Sequence, residues 1–184
     1  MKKTLMTAII LLAMSTASWA QPRTIGVRLG WGTGISYQHG FGEKSMLQIN
    51  LDSWEFSFRT IQLTTTYNWI FPVKSWNAPG SWNWYAGVGV GGGIPLPRRG
   101  IESWKEMKNQ GYVGVVGAIG IEYNFKFPLQ LAIEYRPLFA AYLSKGMHRS
   151  YDRNTDTYIE HPGYYTGFYA GGLFDGGLMI RYKF

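Results

Sequence analysis

The chain has 184 residues, which suits a single domain, and it contains no cysteine, so a disulfide framework and thiolate metal sites are excluded. Aromatic residues make up 17% of the chain and glycine numbers 24. Charged residues make up only 16%, against about 25% in an ordinary soluble domain. This composition does not fit an ordinary soluble domain.

The N-terminal segment has the three parts of a secretory signal peptide. Lys2 and Lys3 provide a positively charged start, and residues 5–14 are mostly apolar. Ser18-Trp19-Ala20 then places small residues at the third and first positions before a cleavage site. We therefore expect cleavage between Ala20 and Gln21. The alternative is a membrane-anchoring helix, but the apolar run falls short of the roughly 20 residues that a spanning helix needs.

The expected division is a signal peptide over residues 1–20 and one barrel domain over residues 21–184. Cleavage removes two lysines, which leaves 16 basic and 11 acidic side chains and a net charge of +5. A mildly basic, exported chain is not expected to bind nucleic acid.

The mature chain alternates apolar and polar residues with a period of two, which is typical of β-strands rather than helices. In 46–53, for example, Leu47, Ile49 and Leu51 alternate with polar residues. Polar or glycine residues fill the other side of each run, as expected for a narrow lumen. Seven runs show this alternation: 24–31, 46–53, 59–71, 82–91, 113–125, 129–136 and 177–184.

An eighth strand is predicted by the glycine-rich turn Trp31-Gly32-Thr33-Gly34, which ends the first strand at 24–31 and begins a second at 34–38. Single-chain bacterial barrels usually have an even number of strands. Because no mature segment approaches a spanning helix, a membrane protein of this kind must be a closed barrel. The predicted fold is all-β: an eight-stranded antiparallel up-and-down transmembrane β-barrel, preceded by a cleavable signal peptide.

The lengths of the predicted connections indicate an orientation. The long, charged connections at about 95–110 and 144–163 are expected outside, and the shorter ones at 39–45, 72–81 and 126–128 in the periplasm with both termini. Aromatic residues near the periplasmic strand ends predict an interfacial girdle. These are Trp69, Phe71, Trp82, Trp84, Tyr123, Phe125, Tyr182 and Phe184.

Five charged residues share the inward-facing parity: Arg28, Glu122, Glu134, Arg136 and Arg181. A charge in a lumen needs partners, because an unpaired buried charge is costly. We expect an internal network of ion pairs and hydrogen bonds that plugs the barrel. The alternative is a gated ion path or a binding site.

The chain ends in alternating apolar residues, Leu178, Ile180, Tyr182 and Phe184, and this pattern looks like the signal that the barrel-assembly machinery reads. Several stretches resemble small outer-membrane β-barrel proteins of Gram-negative bacteria, of the OmpX and OmpA-barrel type. The resemblance implies the fold, the outer-membrane location and a monomer, but it transfers no catalytic residue. The stretches are 35–39, 83–87, 120–125, 128–131 and 180–184.

No cluster in the sequence carries clear chemistry, so no catalytic residue, cofactor or metal ion is expected. The glycine run 87–93 lacks the Gly-Lys-Ser/Thr ending of a phosphate loop. His148-Arg149-Ser150, with Asp152, Asp156 or Glu160, offers residue types that a lipid hydrolase uses, but nothing in the sequence orders them. His148, His161 and Asp156 match no known metal-ligand spacing.

The predicted outer loops contain basic patches that could bind lipopolysaccharide phosphates: Arg98, Arg99, Lys105 and Lys108 in one, and Lys145, Arg149 and Arg153 in the other. Interleaved acidic residues leave a solvated mixed-charge loop as the alternative. The expected function is structural or surface-interacting. A lipid A-modifying hydrolase or acyltransferase and a narrow solute channel are the alternatives. The expected partners are outer-membrane lipids, lipopolysaccharide and, during biogenesis, the assembly machinery.

Overall fold

The computed structural model describes residues 22–54, 60–74, 76, 79–95, 110–152, 157–169 and 172–184. The predicted signal peptide therefore lies outside the described residues. Within these ranges no helix is long and apolar enough to cross a membrane. The strands there are β1 (Arg23–Gly30), β2 (Gly32–Gly40), β3 (Ser45–Trp54), β4 (Thr60–Val73), β5 (Ser81–Pro95), β6 (Gln110–Asn124), β7 (Leu129–Tyr135), β8 (Leu138–Asp152), β9 (Thr157–Tyr169) and β10 (Gly176–Lys183).

These strands form a closed antiparallel barrel. Strands β1 to β6 each pair with the next along the chain, and β6 pairs with both β7 and β8. Strand β10 pairs with β7 and with β1, which closes the ring. Strands β7 and β8, separated by Arg136 and Pro137, together form the seventh strand of the barrel, and β9 and β10 form the eighth. The predicted eight-stranded barrel is confirmed.

The barrel has a polar interior and an apolar outer surface, which is the reverse of a soluble protein. In β4, Gln62 and Thr64 are almost completely buried, whereas Ile61 is 39% exposed and Leu63 is 52% exposed. The same alternation runs around the barrel, with large apolar side chains exposed on every strand from β1 to β6. Period two in the sequence therefore separates an apolar outer face from a polar interior.

Glycine makes the narrow interior possible. A Cβ at Gly89 in β5 would collide with the backbone carbonyl of Thr65 in β4, and one at Gly26 in β1 would collide with that of Ile180 in β10. The run 87–93, which lacks the ending of a phosphate loop, lies entirely inside strand β5. Its glycines allow close approach of neighbouring strands rather than forming a loop.

Two strand boundaries differ from the sequence prediction. Strand β2 begins at Gly32 rather than at the predicted Gly34, because β1 and β2 are joined through Trp31 alone. The prediction that 144–163 is a loop is wrong: β8 and β9 continue pairing until Asp152 lies opposite Thr157. Charges, glycine and Pro162 interrupt the apolar alternation there, although the backbone ladder persists. The hairpin of β8 and β9 therefore continues beyond the level at which β1 ends, at Gly30.

Aromatic side chains gather at the end of the barrel where the chain termini and the connections 41–44, 74–80 and 125–128 lie. The Phe71 and Trp84 rings stack with centroids 4.2 Å apart, and Trp82 contacts Tyr123 at 4.7 Å. Tyr123 in turn contacts Phe125 at 4.5 Å. The eight predicted girdle residues all lie toward this end of the barrel, and we call them the aromatic belt.

Candidate functional site: the polar interior

The centre of the barrel holds a cluster of two arginines and two aspartates: Arg28, Asp52, Arg136 and Asp175, which we call the ion cluster. Asp175 accepts from Arg28 Nη2 through Oδ1 at 2.5 Å and from Arg136 Nη2 through Oδ2 at 2.9 Å. Asp52 Oδ2 pairs with Arg136 Nη2. All four side chains are at most 1% exposed. The two positive and two negative charges neutralise one another.

Distant strands supply the ion cluster. Arg28 lies on β1, Asp52 on β3, Arg136 between β7 and β8, and Asp175 immediately before β10. Arg136 Nη1 also donates to Thr64 Oγ1 of β4 at 2.7 Å. The cluster therefore spans the lumen from one wall to the other, and it links the first strand of the chain to the last.

An irregularity in the wall positions Asp175. Tyr169 pairs with Ala140 and Gly176 pairs with Tyr135, so the chain has six residues between these two pairs on one strand and four on the other. The eighth strand of the barrel thus contains two more residues than its neighbour at this point, in the manner of a β-bulge. The Arg136 backbone nitrogen donates to the Asp175 carbonyl at 2.7 Å, which holds the segment against the wall.

A second group of polar side chains lies between the ion cluster and the end with the termini. Glu134 accepts from Gln48 at 2.7 Å and from the Tyr85 hydroxyl at 2.8 Å. Arg181 donates to Ser36 at 3.1 Å and to the Gln130 oxygen at 3.2 Å, and it contacts the Met179 sulfur. Both hydrogen bonds to Glu134 go to Oε2, and Oε1 is buried without a hydrogen-bond partner among the described residues.

Glu122 lies nearest to the opening at the terminal end. Its carboxylate accepts from Asn83 at 3.0 Å, from Asn124 at 3.1 Å and from Gln130 at 2.9 Å. These groups line one side of a cavity of about 450 Å³, whose rim includes Pro22 and Lys183. The cavity enters the barrel from this end, and the buried side chains of Gln38 and Gln130 line its inner part.

All five residues of the predicted lumen network are inside the barrel: Arg28, Glu122, Glu134, Arg136 and Arg181 are each at most 3% exposed. The sequence reasoning missed the two carboxylates that pair with Arg28 and Arg136. Asp52 shares the inward parity of its strand, so its alternation could have revealed it. Asp175 lies in the irregular segment, where parity carries no information.

The remaining candidate residues fall into two groups. Arg98, Arg99, Lys105 and Lys108, as well as Arg153 and Asp156, lie outside the described residues. His148 and Ser150 lie on β8 rather than in a loop, and His148 is in register with His161 of β9. In the described part of the chain, no group of three or more histidine or acidic residues is placed to hold a metal ion.

The four terminal residues of the predicted assembly signal lie on the outer face of the barrel. Leu178, Ile180, Tyr182 and Phe184 are between 38% and 60% exposed. Ile180 is in register with Val27 of β1 and with Leu131 of β7. The signal residues therefore continue the apolar outer surface across the seam at which the barrel closes.

Comparison with known proteins does not assign the chain to a family. No family model matches the chain, and neither a curated protein nor a solved structure matches it. Function must therefore be argued from the geometry of the barrel itself.

Arg136 is the residue on which the ion cluster depends most. Replacing it by methionine should lower the free energy of unfolding by about 3–5 kcal/mol, because buried Asp52 loses its cation. Adding Asp52→Asn to Arg136→Met should restore part of the loss. Urea unfolding of the refolded barrel, followed by tryptophan fluorescence, measures both effects. An Arg136→Met barrel as stable as the control variant Glu43→Gln, at an exposed position, would contradict this explanation.

Proposed function

We propose that this chain is an integral outer-membrane β-barrel protein with a structural or surface-interaction role, with both termini in the periplasm. The observation that carries the proposal is the reversed polarity of the barrel. Buried arginine, aspartate and glutamine fill the interior, while leucine, isoleucine, valine and aromatic residues cover the outside. Water would make so large an exposed apolar surface unfavourable, whereas hydrocarbon makes it stable.

The aromatic belt supports this setting. Rings with a polar atom, such as Trp69, Trp84 and Tyr182, are enriched where hydrocarbon meets headgroups. These three side chains are between 41% and 56% exposed on the outer surface. A belt at the terminal end agrees with termini at the periplasmic interface, as the predicted assembly signal requires.

The extension of β8 and β9 favours a role in contacting other molecules. Strand β9 has β8 as its sole strand partner within the described residues, so its other edge is available to a further strand. Such an edge can bind an extended segment of another protein through backbone hydrogen bonds. Pro162 in the middle of β9 lacks an N–H group and is typical of an edge strand. It would limit indiscriminate pairing.

The interior argues for a non-enzymatic, non-conducting role. The ion cluster is neutral and buried, and side chains normally fill a barrel of this size. A lipid A-modifying enzyme and a narrow solute channel are the competing hypotheses. A lipid A mass spectrum from cells with and without the gene separates the first from our proposal. Planar-bilayer conductance of the refolded protein separates the second.

The proposal predicts heat-modifiable behaviour. A closed, internally hydrogen-bonded barrel should resist dodecyl sulfate until it is boiled, so boiled and unboiled samples should migrate differently on a gel. The same protein should fractionate with outer membranes and resist extraction by carbonate. Identical migration of the two samples, or recovery in the soluble periplasmic fraction, would overturn the proposal.

We also propose that the basic connection between β5 and β6 binds lipopolysaccharide phosphates. Replacing Arg98, Arg99, Lys105 and Lys108 together by glutamine should then lower lipopolysaccharide co-purification severalfold, because charge-assisted bonds to phosphate are lost. A variant with lysine at both arginine positions serves as the charge-matched control. If the glutamine variant retains as much lipopolysaccharide as the native protein, this contact does not exist.

A further inference from the structure

Each connection at the terminal end of the barrel carries one lysine beside an exposed aromatic ring. The ring in the β2–β3 connection is Phe41, which is 44% exposed, that in the β4–β5 connection is Trp76 at 51%, and that in the β6–β7 connection is Phe127 at 56%. Phe184, at 60%, plays the same part at the end of β10. The lysines are Lys44, Lys74, Lys126 and Lys183, which we call the basic ring.

The basic ring occupies both halves of the barrel wall. Lys44 directly precedes β3, where its carbonyl accepts from the Ile70 backbone nitrogen of β4, and Lys74 directly follows β4. Lys126 lies between β6 and β7, and Lys183 ends β10. Neighbouring strands lie about 5 Å apart, so lysines one to three strands apart have the spacing of lipid headgroups. Lys44, Lys74 and Lys126 are exposed, whereas Lys183 is partly buried and its Nζ donates to the Phe125 carbonyl at 2.7 Å.

The charge at this rim is predominantly positive. Arg23, at the start of β1, adds a further basic residue, and Glu43 is the one acidic residue in the sequences of these connections. The ring lies immediately beyond the aromatic belt. A side chain that extends from this level reaches past the zone where aromatic rings reside and into the zone of phosphates.

We propose that the basic ring binds the headgroups of anionic phospholipids in the leaflet that faces the chain termini. This inference rests on the proposed membrane location, and it adds a lipid preference that the location alone does not require. A lysine at a membrane surface attracts anionic lipid by electrostatics, and a partly screened contact of this kind changes affinity by roughly fivefold.

The arrangement favours a lipid surface over a protein partner. A protein would contact one side of the barrel, whereas the lysines lie on both halves of its wall, each on a segment that also carries an exposed aromatic ring. Lipids surround a barrel in the same way. The repeated pairing of cation and aromatic ring on every connection thus matches a partner that is present on all sides.

The test compares anionic and zwitterionic lipids around the full-length mature barrel. The protein is refolded into vesicles of mixed phosphatidylglycerol and phosphatidylcholine, one of which is brominated. Bromine quenches nearby tryptophan fluorescence, and Trp69, Trp76, Trp82 and Trp84 lie in or next to the aromatic belt. We expect quenching to report a preference for phosphatidylglycerol of roughly fivefold.

The decisive variant is Lys44→Gln/Lys74→Gln/Lys126→Gln, which leaves Lys183 and its bond to Phe125 intact. In this variant the ratio of phosphatidylglycerol to phosphatidylcholine binding should fall close to one. The matched variant with arginine at the same three positions should keep the native ratio. Replacing chloride by inorganic phosphate at equal ionic strength should change nothing, because the ring binds headgroups at a surface rather than free phosphate.

The outcomes separate this inference from the membrane proposal. A native barrel that inserts and shows heat-modifiable migration, yet has no preference for phosphatidylglycerol, overturns the basic ring and leaves the membrane proposal standing. A native preference that survives the glutamine substitutions also overturns it. If the triple glutamine variant fails to insert, the three single variants replace it, and each should lose part of the preference.

Discussion

The pairing of β1 with β10 is the constraint on which the rest of the structure depends. Ile25 lies opposite Tyr182 and Val27 opposite Ile180, so the first and last strands complete a ring of backbone hydrogen bonds. A sheet of this length left open would expose a row of unpaired N–H and C=O groups at each edge. Hydrocarbon could not satisfy these groups, so closure is a precondition for the lipid setting that we propose.

Closure also determines what can occupy the interior. Eight strands enclose a space that side chains must fill, and polar side chains there need partners within that space. The ion cluster meets most of this demand, because two guanidinium groups and two carboxylates pair across the lumen and neutralise one another. Arg28 Nε and Asp52 Oδ1 are the atoms of the cluster that have no hydrogen-bond partner among the described residues. Asp175 connects the cluster to the closing seam, since it pairs with Arg28 of β1 and precedes β10. The wall irregularity before β10 thus contributes to the polar interior.

The sequence predicts most of this architecture because alternation in a strand has a direct physical cause. Side chains on successive residues point to opposite faces, so the order of residues alone assigns the apolar set of 46–53 and the polar set of 59–71 to their faces. The glycine-rich turn at Trp31 allowed the eighth strand to be predicted, because it divides the first segment into two strands. Parity likewise assigned Arg28, Glu134 and Arg181 to the interior, where the structure places them.

The sequence-based prediction failed where apolar and polar residues do not alternate along the chain. In 144–163 the sequence lacks an apolar alternation although β8 and β9 keep their backbone pairing through most of it, so this segment was predicted to be a loop. Asp175 escaped notice because residues 172–175 do not belong to a strand. Pairing partners such as Asp52 and Arg136 are far apart in sequence, and only the closed barrel brings them together.

Contact between the outward side chains and hydrocarbon is the central proposal, and the accessibility of spin labels on the outer face measures it. Because the chain has no cysteine, single cysteines at Ile61, Leu63, Thr65 and Tyr67 of β4 can be labelled selectively in the vesicle-embedded barrel. We predict frequent collision with oxygen and rare collision with a polar nickel complex, with the contrast greatest at the middle positions. Nickel access at these positions as high as at an exposed loop would contradict it.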